Sequence, residues 1–417
     1  MIKSITGTKD TLPVDMPKWH YLEGVIRKVF SHFNYKEIRT PMFEETALFA
    51  RGIGEATDIV SKEMYTFLDR SETSITLRPE MTASVMRALI EHSMHKTQAL
   101  NKLYYMGPMF RQERPQAGRF RQFHQFGAEA IGSDDPALDA EMIIMANDII
   151  SGLGLKNLTV KINSLGLPES REKYKVLLKE YLADKVGGFS EESKRRFESN
   201  VLRIFDSKAE NDQEIMKDAP LLIDNLDEES LEHFEKVKEI LKSAKINFEI
   251  DPRLVRGLDY YTHTTFEIIS DSVGSQSALC GGGRYNLLAK EIGGEDIPGV
   301  GFAAGMERIL LACENENSFS APDYNVDIYI AKLDKSLYNK AVEIAIELRR
   351  KNLVVEFDYQ HRSFKAQMRE ANRINAKYVI ILGGDEFERG EMILKNMSDG
   401  EQEIIKLDSL SGIINKF

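Results

Sequence analysis

The chain contains, at residues 109–129, the segment MFRQERPQAGRFRQFHQFGAE. The residues that lead into it, KLYYMGPMFR, have the apolar and aromatic character of a strand, and FHQFGAEAI at its end predicts a second strand. Pro115 and Gly118 interrupt the polar stretch between the two and predict a loop. We therefore expect an antiparallel hairpin.

The second strand of this hairpin predicts a polar surface. Gln125 and Glu129 are four residues apart, so the two-residue period of a strand places them on one face. Gly127 lies between them and leaves space above the backbone. Arg111, at the end of the first strand, reaches the same surface, which suits a small polar ligand. The alternative is a solvated hairpin whose arginines form surface ion pairs.

A second arginine-containing segment, GVGFAAGMERILL, occupies residues 299–311. Its GxGxxxG spacing is one residue longer than the dinucleotide-binding fingerprint, and no acidic ribose partner follows at the expected distance, so we do not expect Rossmann binding. We expect a strand that turns through glycines into a helix, whose first turns present Arg308 and free N–H groups to a phosphate. Because arginine binds phosphate through paired hydrogen bonds, the two segments together predict a nucleotide site without a P-loop.

Three other segments carry polar groups. RGLDYYTHTTFEII, at 256–269, predicts an alternating strand, and SALCGGGRYNLL, at 277–288, predicts a tight turn at its three glycines. TLRPEMTASVMRAL, at 76–89, predicts a strand followed by a helix that begins near Glu80 and Thr82. Glu80 could cap this helix or bind a ligand, and the sequence leaves both open.

The composition is that of a globular enzyme with more than one domain. A chain of 417 residues exceeds what one hydrophobic core usually organises, and 42% apolar with 29% charged residues is too apolar for disorder. No apolar run approaches the ~20 residues that span a bilayer, and MIKSITGTKD lacks the apolar core of a signal peptide, so we expect a cytoplasmic protein without membrane segments. Cys280 and Cys313 are too few for a disulfide framework and lack zinc-site spacing, so we expect buried, reduced thiols.

Charge is distributed unevenly along the chain. The net charge of -11 argues against non-specific binding of nucleic acid by the whole surface, so local basic patches have to hold any polyanion. Residues 325–417 contain 15 Lys and Arg against 15 Asp and Glu, and the part at 349–377 contains eight basic and three acidic residues. This part is a candidate face for nucleic-acid phosphates, although a charged helix is usually only a solvated face.

Changes in composition divide the chain. Residues 168–249 are dense in Lys and Glu and show helical spacing, which predicts a helical insertion. The loop ENENSFSAPDYN, at 314–325, marks a boundary, after which strand and helix patterns alternate. Such alternation predicts a mostly parallel α/β domain of about 90 residues. We therefore expect two domains, at 1–323 and 324–417.

Taken together, these motifs resemble the series found in histidyl-tRNA synthetases, which are class II aminoacyl-tRNA synthetases. FRQERPQ and RGLDYY are the most specific of them, and the resemblance extends over nearly the whole chain. It implies an α+β catalytic domain built on the class II antiparallel sheet with a helical insertion, plus a C-terminal α/β anticodon-binding domain. It also implies a homodimer, whose interface is formed largely by a first motif around Pro41.

The resemblance further implies a histidine-tRNA ligase that activates L-histidine with ATP and Mg2+ and transfers it to the 3′-terminal ribose of its cognate tRNA. The positions that match ATP-binding residues are Arg111, Arg119 and Arg308. Those that match the histidine site are Glu80, Thr82, Gln125, Glu129, Arg256, Tyr261 and Tyr285. Those that fall where the hairpin loop meets the tRNA acceptor end are Arg114, Gln116 and Arg121. No ligand of Mg2+ is identified.

Three arginines match the catalytic groups of the family. Arg111 corresponds to the arginine on the α-phosphate, Arg308 to the one on the γ-phosphate, and Arg256 to the one near the α-phosphate and the substrate carboxylate. In the histidine site, Glu129 and the two tyrosines correspond to the imidazole pocket, and Glu80, Thr82 and Gln125 correspond to residues around the α-amino group.

Two departures and two alternatives remain. Asn286 stands where the family commonly has an acidic residue, and His263 occupies a variable position, so the loop geometry near both is open. A histidine-sensing regulatory paralogue uses the same fold but generally lacks the anticodon domain and the arginines, whereas Arg111, Arg256 and Arg308 are present here. An amide-forming ligase would use the same core without tRNA, and the C-terminal domain argues against it.

Overall fold

The computed structural model describes residues 2–54, 57, 59–255, 260–276, 278–318, 326–408 and 410, with only the backbone described at 275–276. The chain separates into two compact units, Met1–Ala321 and Pro322–Phe417. No helix within the described ranges is both long and apolar enough to cross a membrane.

The first unit contains strands and helices throughout its length. Its strands are Lys36–Glu37 (β1), Phe43–Glu45 (β2), Tyr65–Leu68 (β3), Ser74–Leu77 (β4), Asn101–Phe110 (β5), Gln122–Ile131 (β6), Leu158–Ser164 (β7), Phe248–Ile250 (β8), Thr262–Ser270 (β9), Ala278–Arg284 (β10) and Gly299–Gly305 (β11). Its helices are Met16–His32 (α1), Thr46–Ile53 (α2), Thr82–Glu91 (α3), Met94–Thr97 (α4), Pro136–Gly152 (α5), Pro168–Leu182 (α6), Glu191–Ser199 (α7), Glu210–Met216 (α8), Glu228–Ser243 (α9), Leu288–Glu291 (α10) and Met306–Glu316 (α11).

An eight-stranded sheet organises this unit, in the order β1-β5-β6-β11-β10-β9-β7-β8. The six inner strands pair antiparallel, and the edge strands β1 and β8 pair parallel with their neighbours. β5 and β6 form the hairpin expected from the sequence, with Tyr105 opposite Gly127. β11 leads directly into α11, as the glycine-rich segment predicted. The predicted antiparallel sheet is therefore confirmed.

The three glycines at 281–283 lie inside β10, so the prediction of a tight turn there is wrong. A Cβ atom on Gly282 would lie 2.2 Å from the carbonyl oxygen of Gly301, and one on Gly283 would lie 2.4 Å from that of Thr264. Both distances are shorter than side-chain atoms tolerate. Glycine is required here because backbones of neighbouring strands approach closely, and not because the chain turns.

Hydrophobic cores cover both faces of the large sheet. Phe126, Ala128 and Ala130 of β6 are buried in the first core, together with apolar residues of α1, α5, α9 and α11. Because side chains alternate along a strand, Gln125 and Glu129 point to the opposite face. The second core lies on that face and includes residues of α3 and α6. Of these two polar side chains, Glu129 is therefore buried within a well-packed region, whereas Gln125 is partly exposed.

The helical segment at 168–249 contributes to both cores. Tyr174 and Leu178 of α6 are buried in the second core, which also contains Tyr261. Phe234 of α9 is buried in the first core. The segment leaves the sheet after β7 and returns to it in β8, which pairs parallel with β7. Its helices thus pack against the sheet from two sides.

The second unit is built on a five-stranded sheet with helices on both faces. Its strands are Ile328–Lys332 (β12), Val355–Phe357 (β13), Tyr378–Leu382 (β14), Glu391–Asn396 (β15) and Gln402–Lys406 (β16), and its helices are Tyr338–Arg349 (α12), Phe364–Arg373 (α13) and Gly384–Glu388 (α14). The strand order is β13-β12-β14-β15-β16. β13, β12 and β14 pair parallel, as expected from the alternating pattern, whereas β14, β15 and β16 pair antiparallel. α12 and α13 contribute to separate apolar cores.

A buried carboxylate joins the short helices of the 168–249 segment. Asp212, in α8, is fully buried and accepts hydrogen bonds from the hydroxyls of Ser190, Ser193 and Ser207 at 2.7, 2.6 and 2.6 Å. Burial opposes ionisation, but these hydroxyls outweigh it and lower the pKa of Asp212 to about 2. The ionised carboxylate therefore stabilises the folded segment.

Asp212→Asn is expected to lower the free energy of unfolding by about 2 kcal/mol at pH 7, because the amide is a weaker acceptor for the three serine hydroxyls. The folded pKa lies below the ordinary value of 3.8, so this contribution is present above that pH and is lost as pH falls through about 2. Urea unfolding at several pH values measures it, with the exposed Asp218→Asn as the control. An equal loss in both variants would show that the hydroxyl cluster is not responsible.

Candidate active site

A cavity of about 280 Å³ opens on the second-core face of the large sheet. The hairpin loop, the start of α3, the strands β6, β9, β10 and β11 and the start of α11 contribute to its walls. It is lined by eight residues that the sequence predicted, namely Glu80, Thr82, Arg111, Arg119, Gln125, Tyr261, Tyr285 and Arg308. Folding thus brings residues from distant motifs into one place.

Two of the cavity's arginines are held by backbone carbonyls. Nε of Arg111 donates to the carbonyl oxygen of Pro79 at 2.9 Å, and its guanidinium lies 5.3 Å from the centre of the Phe123 ring. Nη1 of Arg308 donates to the carbonyl oxygen of Ala278 at 2.7 Å. Each guanidinium is therefore fixed in place by one uncharged partner and keeps further N–H groups for a ligand.

The arginines of the cavity repel one another. Burial, followed by the positive charges of Arg119 and Arg111, lowers the pKa of Arg308. The carboxylate of Glu113 is a counter-charge for Arg119 and Arg111. It lies 3.1 Å from Nη1 of Arg119 and 3.6 Å from Nη1 of Arg111. Nε of Arg119 is buried and has no hydrogen-bond partner among the described residues. Such a concentration of positive charge favours the binding of a polyanion.

A fully buried carboxylate lies behind the cavity wall. Oε1 of Glu129 accepts hydrogen bonds from the hydroxyls of Thr82 and Tyr105 at 2.8 and 3.3 Å, and Oε2 accepts one from the hydroxyl of Tyr285. Burial raises the pKa of Glu129 to about 8, although the hydroxyls of Tyr285 and Thr82 oppose the shift. Glu129 does not itself line the cavity, but Thr82 and Tyr285 do.

Glycine makes room for this carboxylate. Gly301 of β11 lies opposite Glu129, and a Cβ atom there would be 1.8 Å from Oε2. Gly127 has the same function for the hydroxyl of Tyr105, which would be 2.5 Å from a Cβ atom at that position. The space that the sequence predicted beside Gly127 is therefore filled by a tyrosine from the neighbouring strand.

Glu80 caps α3, which is one of the two roles that the sequence left open. Its Oε2 accepts from the backbone N–H of Thr82 at 2.7 Å, and its Oε1 accepts from that of Ala83 at 3.0 Å. Burial raises the pKa of Glu80, and these N–H groups oppose the shift. Nearby, Oε1 of Gln125 is buried and has no hydrogen-bond partner within the described part of the chain. Gln125 thus offers an acceptor to a ligand.

A buried ion pair anchors Arg284, the residue that precedes Tyr285. Arg284 is fully buried and donates from Nε to Oδ2 of Asp139 at 3.0 Å, and from Nη1 to the side-chain oxygen of Asn286 at 3.3 Å. Asn286, which departs from the family pattern, therefore accepts a hydrogen bond from Arg284. His263, the other departure, is buried and has a left-handed backbone with φ of 42°.

The residues assigned to the tRNA acceptor end lie on the hairpin loop. Arg114 and Gln116 are exposed, and the backbone N–H and C=O groups of Gln116 pair with those of Arg119 at 2.9–3.1 Å. The backbone N–H of Arg121 donates to the carbonyl oxygen of Gly7 at 2.7 Å, which ties the loop to the N-terminal segment. Arg256 lies outside the described residues.

Several contributors to the cavity were not identified from the sequence. Glu113 and Glu307 occur inside the quoted motifs. Each directly precedes an arginine, and this position could have indicated a counter-charge for the arginines of the site. Glu307 docks the hairpin onto α11, because its carboxylate accepts from the backbone N–H of His124 at 2.9 Å. Tyr105, whose hydroxyl donates to Glu129 behind the cavity wall, lies in a segment whose pattern predicted only a strand. Cys280 lines the cavity, and both it and Cys313 are free and buried, as expected.

The described residues contain no group of three or more His, Cys, Asp or Glu side chains placed to hold a metal ion. The cavity nevertheless contains four carboxylates, those of Glu80, which caps α3, and of Glu113, Glu267 and Glu307.

Comparison with known proteins identifies similar chains of the same length. The family profile "Histidyl-tRNA synthetase" matches residues 7–309, and the profile "Anticodon binding domain" matches residues 327–417. The histidine–tRNA ligase of Bacillus cytotoxicus is 50% identical over 412 residues, which cover 98% of this chain and 97% of that protein. That of Desulforamulus reducens is 49% identical over 404 residues, covering 97% and 96%.

Solved structures give the same result. The crystal structure of apo histidyl-tRNA synthetase from S. aureus has a TM-score of 0.85 and 40% identity, with 100% of both chains covered. An ATP phosphoribosyltransferase regulatory subunit/histidyl-tRNA synthetase from Bacillus halodurans has a TM-score of 0.66 at 21% identity, covering 92% of this chain and 99% of that one, and shares the fold alone. The predicted combination of catalytic and anticodon-binding folds is confirmed.

Glu129→Gln is expected to change how stability depends on pH. The folded pKa of about 8 lies above the ordinary value of 4.5, so the wild type loses free energy of unfolding as pH rises between these values. Glutamine removes this loss, and between pH 5.5 and 8.5 the variant should gain about 3 kcal/mol relative to the wild type. Urea unfolding at both pH values measures the difference. A difference that does not vary with pH would mean that Glu129 is already ionised in the folded protein.

Proposed function

The chain belongs to the histidyl-tRNA synthetase family, and we propose that its arginine-lined cavity is where ATP and L-histidine react. The enzyme is an ATP-dependent histidine-tRNA ligase, which forms histidyl-adenylate and pyrophosphate and then transfers histidine to tRNA. The observation that supports the placement of this reaction is the convergence of Arg111, Arg119 and Arg308 on one cavity. A triphosphate is the anion that best matches three guanidinium groups.

The first step joins two anions, so its main requirement is the neutralisation of negative charge. The carboxylate of histidine attacks the α-phosphorus of ATP, and pyrophosphate leaves. Arg111 binds the α-phosphate and stabilises the additional charge of the transition state, while Arg308 binds the γ-phosphate and Arg119 contributes to ATP binding. Because Arg111 and Arg308 are held by backbone carbonyls, they need little reorganisation during the reaction. Arg256, assigned to the same step by the family resemblance, remains a sequence-based prediction.

The other side of the cavity recognises histidine. Glu129 and the hydroxyls of Tyr261 and Tyr285 supply partners for the two ring nitrogens, and the acceptor of Gln125 faces the α-ammonium group together with Glu80 and Thr82. An amino acid without these nitrogens could not form the hydrogen bonds that these buried groups exchange with a histidine ring. Such a site discriminates by as much as about 10⁴-fold without editing.

Mg2+ bound with the phosphates of ATP would add positive charge in this site. It usually needs only one or two protein carboxylates besides phosphate oxygens and water, and the carboxylates of Glu113 and Glu267 in the cavity wall meet that need. These residues are therefore our candidates for holding the ion.

In the second step, a terminal ribose hydroxyl of tRNA attacks the adenylate. The exposed Arg114 and Gln116, with Arg121, are positioned on the hairpin loop to meet the acceptor end. In the C-terminal domain, Arg349, Arg362, Arg373 and Lys377 pair with acidic side chains of the same domain. The exposed cations at 349–377 that we propose for the anticodon arm are therefore Arg350, Lys351, Lys365 and Arg369.

A homodimer accounts for the apolar surface near Pro41. Met42, Phe43, Phe67 and Leu68 are 51%, 55%, 48% and 65% exposed, and the last three belong to the small sheet formed by β2, β4 and β3. Large apolar side chains grouped in this way indicate an interface. Their position around the first motif supports a second copy of the chain as the partner.

Arg111→Ala and Arg308→Ala are each expected to reduce histidine-dependent pyrophosphate exchange by about 100-fold or more, because charge on the phosphates is no longer neutralised. The exposed Arg70→Ala, on the β3–β4 turn, should retain full exchange and serves as the control. Full exchange in either cavity variant would remove that arginine from the reaction.

Gln116→Ala and Arg114→Ala are expected to slow the transfer of histidine to tRNA by about tenfold, since each loses a contact to the acceptor end. Adenylate formation should be unchanged, because neither side chain lines the cavity. Single-turnover transfer from preformed adenylate measures the first quantity, and pyrophosphate exchange measures the second. Equal effects on both steps would place these residues in adenylate formation instead.

A further inference from the structure

The 168–249 segment touches the backbone of a residue in the histidine site. Arg171, in the first turns of α6, donates from Nη1 to the carbonyl oxygen of Tyr261. Immediately beside this contact, the backbone N–H of His263 donates to the carbonyl oxygen of Gly166 at 3.0 Å, and that of Leu165 donates to the carbonyl oxygen of His263 at 2.7 Å. Arg171 of α6 and the turn that precedes this helix, at Leu165 and Gly166, are thus joined to Tyr261 and His263 by three hydrogen bonds.

On its β10 side, the large sheet does not hold the start of β9 in a regular ladder. The pairing between β9 and β10 is irregular here, because its register shifts between Gly283 and Arg284. His263 also has a left-handed backbone, φ 42°, which a non-glycine residue adopts only when its surroundings impose it. The conformation from Tyr261 to His263 therefore depends on contacts outside the regular β9–β10 ladder. Arg171 of α6 supplies the contact at Tyr261, and the turn at Leu165 and Gly166 supplies those at His263.

α6 is itself firmly anchored, so Arg171 is a donor with a defined position. Tyr174 and Leu178, on the following turns, are buried in the core that also contains Tyr261. The hydroxyl of Ser170 donates to the carboxylate of Asp227, and the hydroxyl of Tyr174 donates to the carbonyl oxygen of Pro220 at 2.6 Å. A helix held by these contacts transmits its position to the residue that Arg171 binds.

We propose that Arg171 is a positioning residue for histidine recognition, which acts by holding the backbone of Tyr261. The proposal rests on the proposed function, in which the Tyr261 hydroxyl binds the imidazole. A shift of this carbonyl would move the hydroxyl relative to Glu129, while the arginines that bind ATP are attached to other elements. Arg171 therefore gives the 168–249 segment a direct effect on amino-acid affinity.

The main test compares Arg171→Ala, Arg171→Lys and the control Lys173→Ala in pyrophosphate exchange with the full-length enzyme. Lys173 is exposed two residues further along α6. Arg171→Ala should raise the KM for histidine about tenfold and change the KM for ATP less than about twofold, because only the imidazole pocket is displaced. Arg171→Lys should restore part of the affinity, since an ammonium group can donate to the same carbonyl, and Lys173→Ala should behave as wild type.

A double-mutant cycle with Tyr261→Phe identifies the route of the effect. If Arg171 acts through Tyr261, Arg171→Ala should have less effect on histidine KM in the Tyr261→Phe background than in the wild type. Additive effects, an equal rise in both KM values, or an unchanged histidine KM in a folded Arg171→Ala enzyme would each overturn the proposal. If Arg171→Ala does not fold, the KM values of Arg171→Lys for histidine and ATP are compared in the same way, and a selective rise in the KM for histidine is again the expected result.

The failure of the proposed function would appear differently. A wild-type enzyme without histidine-dependent exchange would overturn both proposals. If the wild type exchanges normally and the Arg171 variants show no selective histidine defect, only the role of Arg171 fails.

Discussion

Electrostatic repulsion among three guanidinium groups is the constraint that shapes the cavity. Arg111 and Arg308 repel each other, yet each is held in place by a hydrogen bond to a backbone carbonyl on a different wall of the cavity. Glu113 offsets part of the repulsion while the site holds no anion. The stability of the surrounding sheet therefore maintains an arrangement that a polyanion makes favourable. In the proposed function, this repulsion contributes to the binding of ATP.

A second unfavourable arrangement lies close by, in the burial of Glu129. Three hydroxyls surround this carboxylate without removing the cost of its charge, and its pKa remains raised at about 8. Gly301 provides the space that the carboxylate occupies. The fold thus contains a cationic wall and a poorly solvated acid in one region, which together match a substrate pair composed of a triphosphate and an imidazole-bearing amino acid.

Local patterns were sufficient to predict the β5–β6 hairpin and the β11–α11 unit, because alternation, glycines and a loop proline act within a few residues. The prediction of a turn at the three glycines was wrong because glycine is required there by the close approach of neighbouring strands, which the local sequence does not reveal. The hydrogen-bond partners of Glu129 could not be predicted either, because Tyr105 and Tyr285 contact it only once the strands have paired in register. The family resemblance supplied roles that periodicity could not, and those of individual residues, including Arg256, remain predictions.

The position of the 168–249 segment between two paired strands has a consequence for how the protein folds. β7 ends at Ser164 and its parallel partner β8 begins at Phe248, so the edge of the sheet closes only after the whole segment has left the ribosome. Contacts between residues so far apart in sequence form late, since they carry a high entropic cost of loop closure. During synthesis, β7 therefore remains unpaired on both sides until its partners β8 and β9 have emerged, and an unpaired strand is the condition in which a chaperone has most to protect.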